Sequence, residues 1–238
     1  MDERWRRTFG SWAREPGYRR LVAETLRAIR RELAVARRPF VAFSGGKDST
    51  VLVHLVLRCD PEVEVLHWDY GPFFVPRPIH ERILANARGL GARRLRVETS
   101  PSYQRLGRRA RNVLGREMIG GLLPRMAEEG YDLVFVGLRA EEAVGRRCRI
   151  EAGRSLSVVR EAWPLARWRW LDVWAYVVEH EIPYLAEIYD SAAELVGWDR
   201  ARWTTLQDPE FAHVAAAVDG VAHWRWRHTG PGETPEIE

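Results

Sequence analysis

The sequence predicts an α/β fold with a doubly wound, mostly parallel sheet of the Rossmann-like kind. Apolar runs of strand length alternate with segments of helical period along most of the 238 residues. A Gly-Gly turn also follows the first apolar run directly and opens a helix-like segment, as in a strand-turn-helix unit. The composition, 46% hydrophobic and 29% charged, is ordinary for a globular chain with a substantial core.

The first predicted elements are a helix, a strand and a second helix. Apolar residues recur at helical spacing among arginines over residues 18–35, and Pro39 ends this helix. The apolar run at 39–43 predicts the first strand. Residues 49–57 are apolar enough for a helix that is covered on most sides. An amphipathic helix therefore leads into the strand-turn-helix unit.

The alternation continues beyond this unit. Strands are predicted at 63–68, 93–98, 133–136 and 157–163, and helices at 79–90, 117–129 and 171–180. Asp69 and Gly71 follow the second strand, and a polar loop with Arg139 and Arg146 follows the fourth. Ligands of such sheets bind at the carboxyl ends of the strands, so these residues are candidates for a site.

The chain is expected to form one domain with an extension. We assign residues 1–190 to the α/β domain, 191–228 to a Trp-rich C-terminal extension and 229–238 to an acidic, disordered tail. In the extension, Trp224 and Trp226 alternate with arginines, which suits stacking on nucleic-acid bases, a strand or a dimer contact. A signal peptide and long apolar runs are absent from the sequence, which predicts a cytoplasmic protein without a membrane partner.

Lys47 is the only lysine in a chain with 36 arginines. It lies in the turn after the first strand, which contains Ser44, Gly45, Gly46, Lys47, Asp48 and Ser49. Glycine lets backbone N–H groups approach an anion, and the start of a helix supplies unpaired donors. A compact ammonium group adds full charge there. We expect this turn to bind nucleotide phosphates, with Ser44 and Ser49 as hydroxyl donors and Asp48 holding Mg²⁺ or orienting the turn.

The turn, with Phe43 before it, resembles the PP-loop of the N-type ATP pyrophosphatases and adenine nucleotide alpha hydrolases. Within that superfamily the chain is similar to the phosphoadenosine phosphosulfate (PAPS) reductase family, which includes the small, ATP-cleaving subunit of sulfate adenylyltransferase. The further segments that carry this likeness are the turn with Asp69 and Gly71, residues 137–142 with Arg146, Trp163-Pro164-Leu165, Asp172-Val173-Trp174 and Ile182-Pro183-Tyr184. The likeness spans about residues 20 to 190.

The resemblance implies ATP as a substrate, Mg²⁺, and cleavage between the α and β phosphates. Adenylyl transfer to an unidentified acceptor, with sulfate as one possibility, would release pyrophosphate. Lys47, Arg139 and Arg146 are the implied catalytic residues, and the two arginines would face the phosphate or sulfate end of the ligand. Asp69 and Gly71 are implied on the ribose side, with Asp69 as a second metal candidate. The family also implies a homodimer or a partner subunit.

Two alternatives stay open at this point. Reductases of the family use a C-terminal cysteine, and the corresponding stretch here, 197–204, has none, which disfavours reduction of PAPS or adenylylsulfate. The two cysteines, Cys59 and Cys148, form no CxxC pair. The other alternative is a non-catalytic subunit that binds a nucleotide or nucleic acid, which the pI of 9.4 permits. The arginines at 105, 108, 109 and 111 suit either closure over an anion or a solvated loop.

Overall fold

A parallel five-stranded sheet organises the chain in the computed structural model, which describes residues 1–72, 75–106, 117–155 and 158–201. The strands are β1 (Pro39–Phe43), β2 (Glu64–Asp69), β3 (Leu95–Thr99), β4 (Leu133–Phe135) and β5 (Arg160–Ala162). Their order across the sheet is β3-β2-β1-β4-β5, and every neighbouring pair is parallel. This confirms the predicted α/β fold with its doubly wound sheet.

Helices connect the strands. The described α-helices are α1 (Glu3–Trp12), α2 (Pro16–Val35), α3 (Lys47–Leu57), α4 (Arg77–Gly89), α5 (Pro101–Leu106), α6 (Leu123–Glu128), α7 (Val144–Glu151), α8 (Trp170–Glu179) and α9 (Ala186–Val196). A π-helical turn, Met118–Leu122, precedes α6, and a 3₁₀ turn, Ala140–Glu142, precedes α7. The helix predicted at 117–129 is thus divided, because Pro124 lacks the N–H that a regular helical ladder uses.

Helix α1 was not among the predicted elements. The Asp2 carboxylate accepts the Trp5 N–H at 2.9 Å and caps the start of the helix. Phe9 lies fully buried on its inner face, stacked on Trp174 of α8 with 6.3 Å between ring centroids. The sequence carried a signal for this helix in the aspartate cap and the aromatic spacing of Trp5, Phe9 and Trp12.

The core occupies both faces of the sheet. In β1, Val41 and Phe43 belong to a large hydrophobic cluster, whereas Phe40 belongs to a second cluster with Leu122 and Met126. Successive side chains of a strand point to opposite faces, which explains this division. None of the helices in the described ranges has the length and apolar character needed to cross a bilayer.

The C-terminal part was predicted in less detail. Helix α9 passes through position 190, where the domain boundary is expected, and Trp198 after it is buried beside Trp174 with ring centroids 4.6 Å apart. These contacts build an aromatic cluster at the start of the Trp-rich segment. Other predictions fall outside the described residues, namely those for Arg108, Arg109, Arg111, Ser157, Trp224, Trp226 and the tail 229–238.

Candidate active site

The candidate site lies where β1 and β4 meet. The chain runs from β1 to β2 and β3 on one side of the sheet, whereas β4 and β5 lie on the other side of β1. The strand order therefore reverses between β1 and β4, and a crevice forms at the carboxyl ends of these two strands. Gly137, just beyond β4, touches the start of α3: a Cβ atom there would lie 3.2 Å from the backbone N of Ser49. The absence of a side chain at Gly137 therefore allows the two halves of the site to approach each other.

The glycine turn has a geometry that only glycine adopts without strain. Gly45 has φ +80°, and a Cβ atom on it would lie 2.6 Å from Cγ1 of Ile83 in α4. The Ser49 hydroxyl donates to the carbonyl of Gly46 at 2.9 Å and accepts the Ser44 N–H at 3.2 Å. The two serines thus hold the turn in shape, and α3 begins directly after Gly46.

Lys47 is almost fully buried at the first position of α3, with 2% of its surface exposed. Its ammonium group lies 3.2 Å from Oδ2 of Asp48 and 5.7 Å from the ring centroid of Tyr189. Its backbone N–H donates to the Tyr189 hydroxyl at 2.9 Å. Burial lowers the pKa of Lys47, and the Asp48 carboxylate opposes that shift.

Asp48 joins Lys47 to Arg139 across the crevice. Nε of Arg139 lies 2.5 Å from Oδ1 of Asp48, and its Nη1 lies 2.8 Å from Oε2 of Glu141. Burial raises the pKa of Asp48, but the charges of Arg139 and Lys47 outweigh it and hold the pKa at about 2. The carboxylate is therefore ionised and bridges two buried cations, which fixes their positions.

The two predicted arginines occupy different environments. The Arg139 side chain is buried at the turn, whereas the Arg146 side chain on α7 is 44% exposed and pairs with Glu142 one turn earlier. Glu142 also accepts the backbone N–H of Arg139, at 3.3 Å. The structure thus places Arg139 at the loop and Arg146 at the rim, linked through Glu142.

Asp69 and Gly71 form a tight turn after β2. Oδ1 of Asp69 accepts the Gly71 N–H at 2.7 Å, and Oδ2 accepts Nη1 of Arg77 at 2.8 Å. Burial raises the pKa of Asp69, but the hydrogen bond from Arg77 and the other partners hold it below its usual value. Nδ1 of His80 lies 3.6 Å from the same carboxylate. The roles of Asp69 toward ribose or a metal stay predictions.

Two residues at this edge carried no prediction. His67 of β2 is buried, and its Nδ1 lies 2.8 Å from the carbonyl O of Phe43, which ties the ends of β1 and β2 together. Burial lowers the pKa of His67 to about 4, so the ring is neutral near pH 7 and donates to that carbonyl. Tyr189 comes from α9, 142 residues after Lys47, and local patterns in the sequence give no signal for such a contact.

The predicted site residues all fall within two segments that match a known domain family. Residues 38–76 and 118–199, about half of the chain, match the phosphoadenosine phosphosulfate reductase domain. The chain belongs to this family. The predicted family is thereby confirmed, and the loop 44–49, the turn at Asp69 and the segment with Arg139 and Arg146 all lie inside the matched residues.

The relatives of this PAPS reductase family protein include sulfate adenylyltransferase subunits. It is 24% identical over 255 residues to sulfate adenylyltransferase subunit 2 of Xanthomonas oryzae pv. oryzae (strain PXO99A), covering 92% of this chain and 76% of that protein. It is 28% identical over 204 residues to sulfate adenylyltransferase subunit 2 of Rhizobium meliloti (strain 1021), covering 71% of this chain and 66% of that protein.

Solved structures share the fold of this family member. The U34-tRNA thiolase NcsA from Methanococcus maripaludis, with its 4Fe-4S cluster, gives a TM-score of 0.51 at 15% identity and covers 73% of this chain and 74% of its own. NMN synthetase from Francisella tularensis gives a TM-score of 0.51 at 13% identity, and the match covers 70% of this chain and 71% of the synthetase chain. At such identities the likeness concerns the fold alone.

Proposed function

We propose that the protein binds ATP at residues 44–49 and cleaves it between the α and β phosphates, transferring the adenylyl group to an acceptor. The observation that carries this proposal is the glycine turn at the β1/β4 crevice, with the chain's one lysine at the start of α3. Membership of the PAPS reductase family and the sulfate adenylyltransferase subunit 2 relatives support it.

In this reaction an acceptor oxygen attacks the α-phosphorus. The bond between the α-phosphorus and the oxygen that bridges the α and β phosphates breaks. The leaving pyrophosphate keeps the electron pair, so negative charge grows on its oxygens. Lys47 and the backbone N–H groups at the start of α3 would neutralise that charge. The phosphates would take the place of the Tyr189 hydroxyl on the Lys47 N–H. No nucleophilic side chain is needed.

The arginines would contribute in different ways. Arg139 holds Asp48, and Asp48 holds the Lys47 ammonium, so Arg139 keeps the phosphate-binding charge in position. Arg146 lies exposed at the rim, where its guanidinium group can leave Glu142 and bind an anionic acceptor or the leaving group. This extends the predicted roles of both residues.

Mg²⁺ would enter with the ATP phosphates as part of the substrate. The Asp48 carboxylate is already paired with two cations, and the Asp69 carboxylate is paired with Arg77. Within the described ranges, no group of three or more His, Cys, Asp or Glu side chains is arranged to hold a metal ion. Mg²⁺ in ATP-dependent enzymes is commonly held by one or two carboxylates and the substrate's phosphates, so the metal roles of Asp48 and Asp69 stay predictions.

The acceptor and the assembly are part of the same proposal. Sulfate is the first acceptor to examine, because the relatives are sulfate adenylyltransferase subunits. Their designation as a subunit favours a partner chain for this protein too. A carboxylate, an amide oxygen or a nucleic-acid base would suit the same mechanism.

The decisive experiment supplies MgATP labelled at the α-phosphate, with and without sulfate and the other acceptors, and identifies the products. AMP or an adenylylated acceptor together with pyrophosphate is the expected result. Formation of ADP and phosphate would overturn the proposal. Lys47→Ala should abolish pyrophosphate release, whereas Arg88→Ala, which removes an exposed charge from α4, should leave it unchanged. Lys47-dependent ATP binding without turnover on any acceptor would favour the non-catalytic subunit instead.

A further inference from the structure

The excess positive charge of the chain is concentrated in its first two helices and the short segments that follow each of them. Residues 1–38 contain eleven arginines and five carboxylates, whereas the other 200 residues contain 26 basic and 28 acidic side chains. All eleven arginines are exposed. The net charge of +4 therefore arises entirely from this segment, which ends where the match to the PAPS reductase domain begins.

The carboxylates on these helices do little to neutralise the arginines. Glu24 pairs with Arg167 at 2.5 Å, and Glu32 pairs with Arg160, so both are engaged by arginines from the segment around β5. Of the eleven arginines, Arg37 is the one that has a carboxylate within 4 Å among the residues that the structure describes. Exposed, unpaired guanidinium groups at this density attract polyanions.

A groove of about 490 Å³ opens on this surface, between α2 and the segment after β5. Arg27 and Arg31, one turn apart on α2, contribute to one wall, and Trp163 and Arg167 to the other. The guanidinium group of Arg149 lies over the Trp163 ring, 5.5 Å from its centroid. An aromatic ring among arginines offers stacking and phosphate binding together, which matches a nucleic-acid strand better than an acidic protein surface.

One lining residue of the groove, Trp163, lies at the edge of the sheet that carries the candidate active site. Trp163 follows β5 as directly as Ser44 follows β1, and parallel strands end at the same edge. From this arrangement we propose that the basic groove of α2 and residues 163–167 binds single-stranded nucleic acid. The phosphates lie on Arg27 and Arg31, and a base packs against Trp163. This proposal does not depend on the proposed ATP chemistry.

The test measures binding of fluorescein-labelled 12-nucleotide RNA and DNA single strands by anisotropy at 50 to 200 mM salt. Arg27→Gln with Arg31→Gln should weaken binding at least about tenfold and reduce the slope of log affinity against log salt by about 1.4. The matched control, Arg82→Gln with Arg88→Gln on α4, removes the same charge from another exposed surface and should change affinity less than about twofold. Trp163→Leu should weaken binding about fivefold or more at an unchanged salt slope.

Three outcomes would overturn the proposal that the groove binds single-stranded nucleic acid. They are absence of binding at 50 mM salt, equal losses in both double variants, and tighter binding of a duplex of the same sequence. A double variant Arg27→Lys with Arg31→Lys, which keeps the charge, should retain most of the affinity, and a loss as large as in the glutamine variant would contradict binding through these charges. Lys47→Ala should keep oligonucleotide binding, so failure of the ATP chemistry and failure of the groove are separate results.

Discussion

Replacing Tyr189 with phenylalanine tests whether the Lys47 N–H belongs to a phosphate site. The hydroxyl is buried and accepts that N–H at 2.9 Å, so its removal leaves a buried donor without this acceptor. The cost is about 1–2 kcal/mol in the ligand-free protein. For a chain of this length, that corresponds to a fall in Tm of about 3–6 °C. Pyrophosphate can satisfy the freed donor, so its affinity should rise about 5- to 25-fold.

Thermal unfolding and titration calorimetry with pyrophosphate measure both effects. Tyr184→Phe is the matched control, because its hydroxyl donates to Asp190 at 2.8 Å while its ring lies in the same aromatic cluster, 6.3 Å from that of Tyr189. The control should lose stability without a change in pyrophosphate affinity. If Tyr189→Phe folds but binds pyrophosphate no more tightly than the wild type, the Lys47 N–H does not bind phosphate and the reasoning is refuted.

Four further predictions concern the same edge of the sheet. Gly45→Ala should cost at least about 2 kcal/mol and abolish nucleotide binding, because an alanine strains φ +80° and its Cβ would meet a neighbouring isoleucine; a wild-type Tm would contradict this. Asp48→Asn should cost about 3 kcal/mol in urea unfolding, because it leaves the buried Lys47 ammonium without the Asp48 carboxylate and leaves Arg139 paired with Glu141, and Arg139→Met in the same chain should recover part of the loss. Lys47→Arg keeps the charge but should still lose pyrophosphate release, since a planar guanidinium replaces a compact ammonium in a buried turn; activity near the wild type would exclude that requirement. Because burial lowers the pKa of His67 to about 4, its contribution to stability is complete above about pH 6.5 and is lost as the pH falls toward 4; between pH 7 and 5, His67→Gln should lose about 2 kcal/mol less than the wild type.

The parts of the site that depend on neighbouring residues were predictable from the sequence. The glycine turn, the start of α3 and the placement of Lys47 follow from a strand, two glycines and a helix in succession. Arg139 was correctly placed after the fourth strand, because parallel strands bring their carboxyl ends to one edge. These predictions needed only local patterns and the topology of the fold.

The contacts that decide what each side chain does were not predictable in this way. Whether Arg139 faces a ligand or Asp48 depends on packing between residues 91 positions apart. The contact of Tyr189 with Lys47 depends on how α9 packs after the last described strand, and the sequence around Tyr189 has no turn or motif that marks it. Helix α1 is a different case, because its cap and its aromatic spacing were present in the sequence.

The ion pair between Asp48 and Arg139 also has a consequence for biosynthesis. The ribosome must add about ninety residues after Asp48 before Arg139 is synthesised, and a similar number separates β1 from its neighbour β4. Until then the nascent chain exposes one open side of its central strand, and the closure of such a long loop is slow. Nucleotide can assist only the last stage of folding, after both halves of the crevice have met.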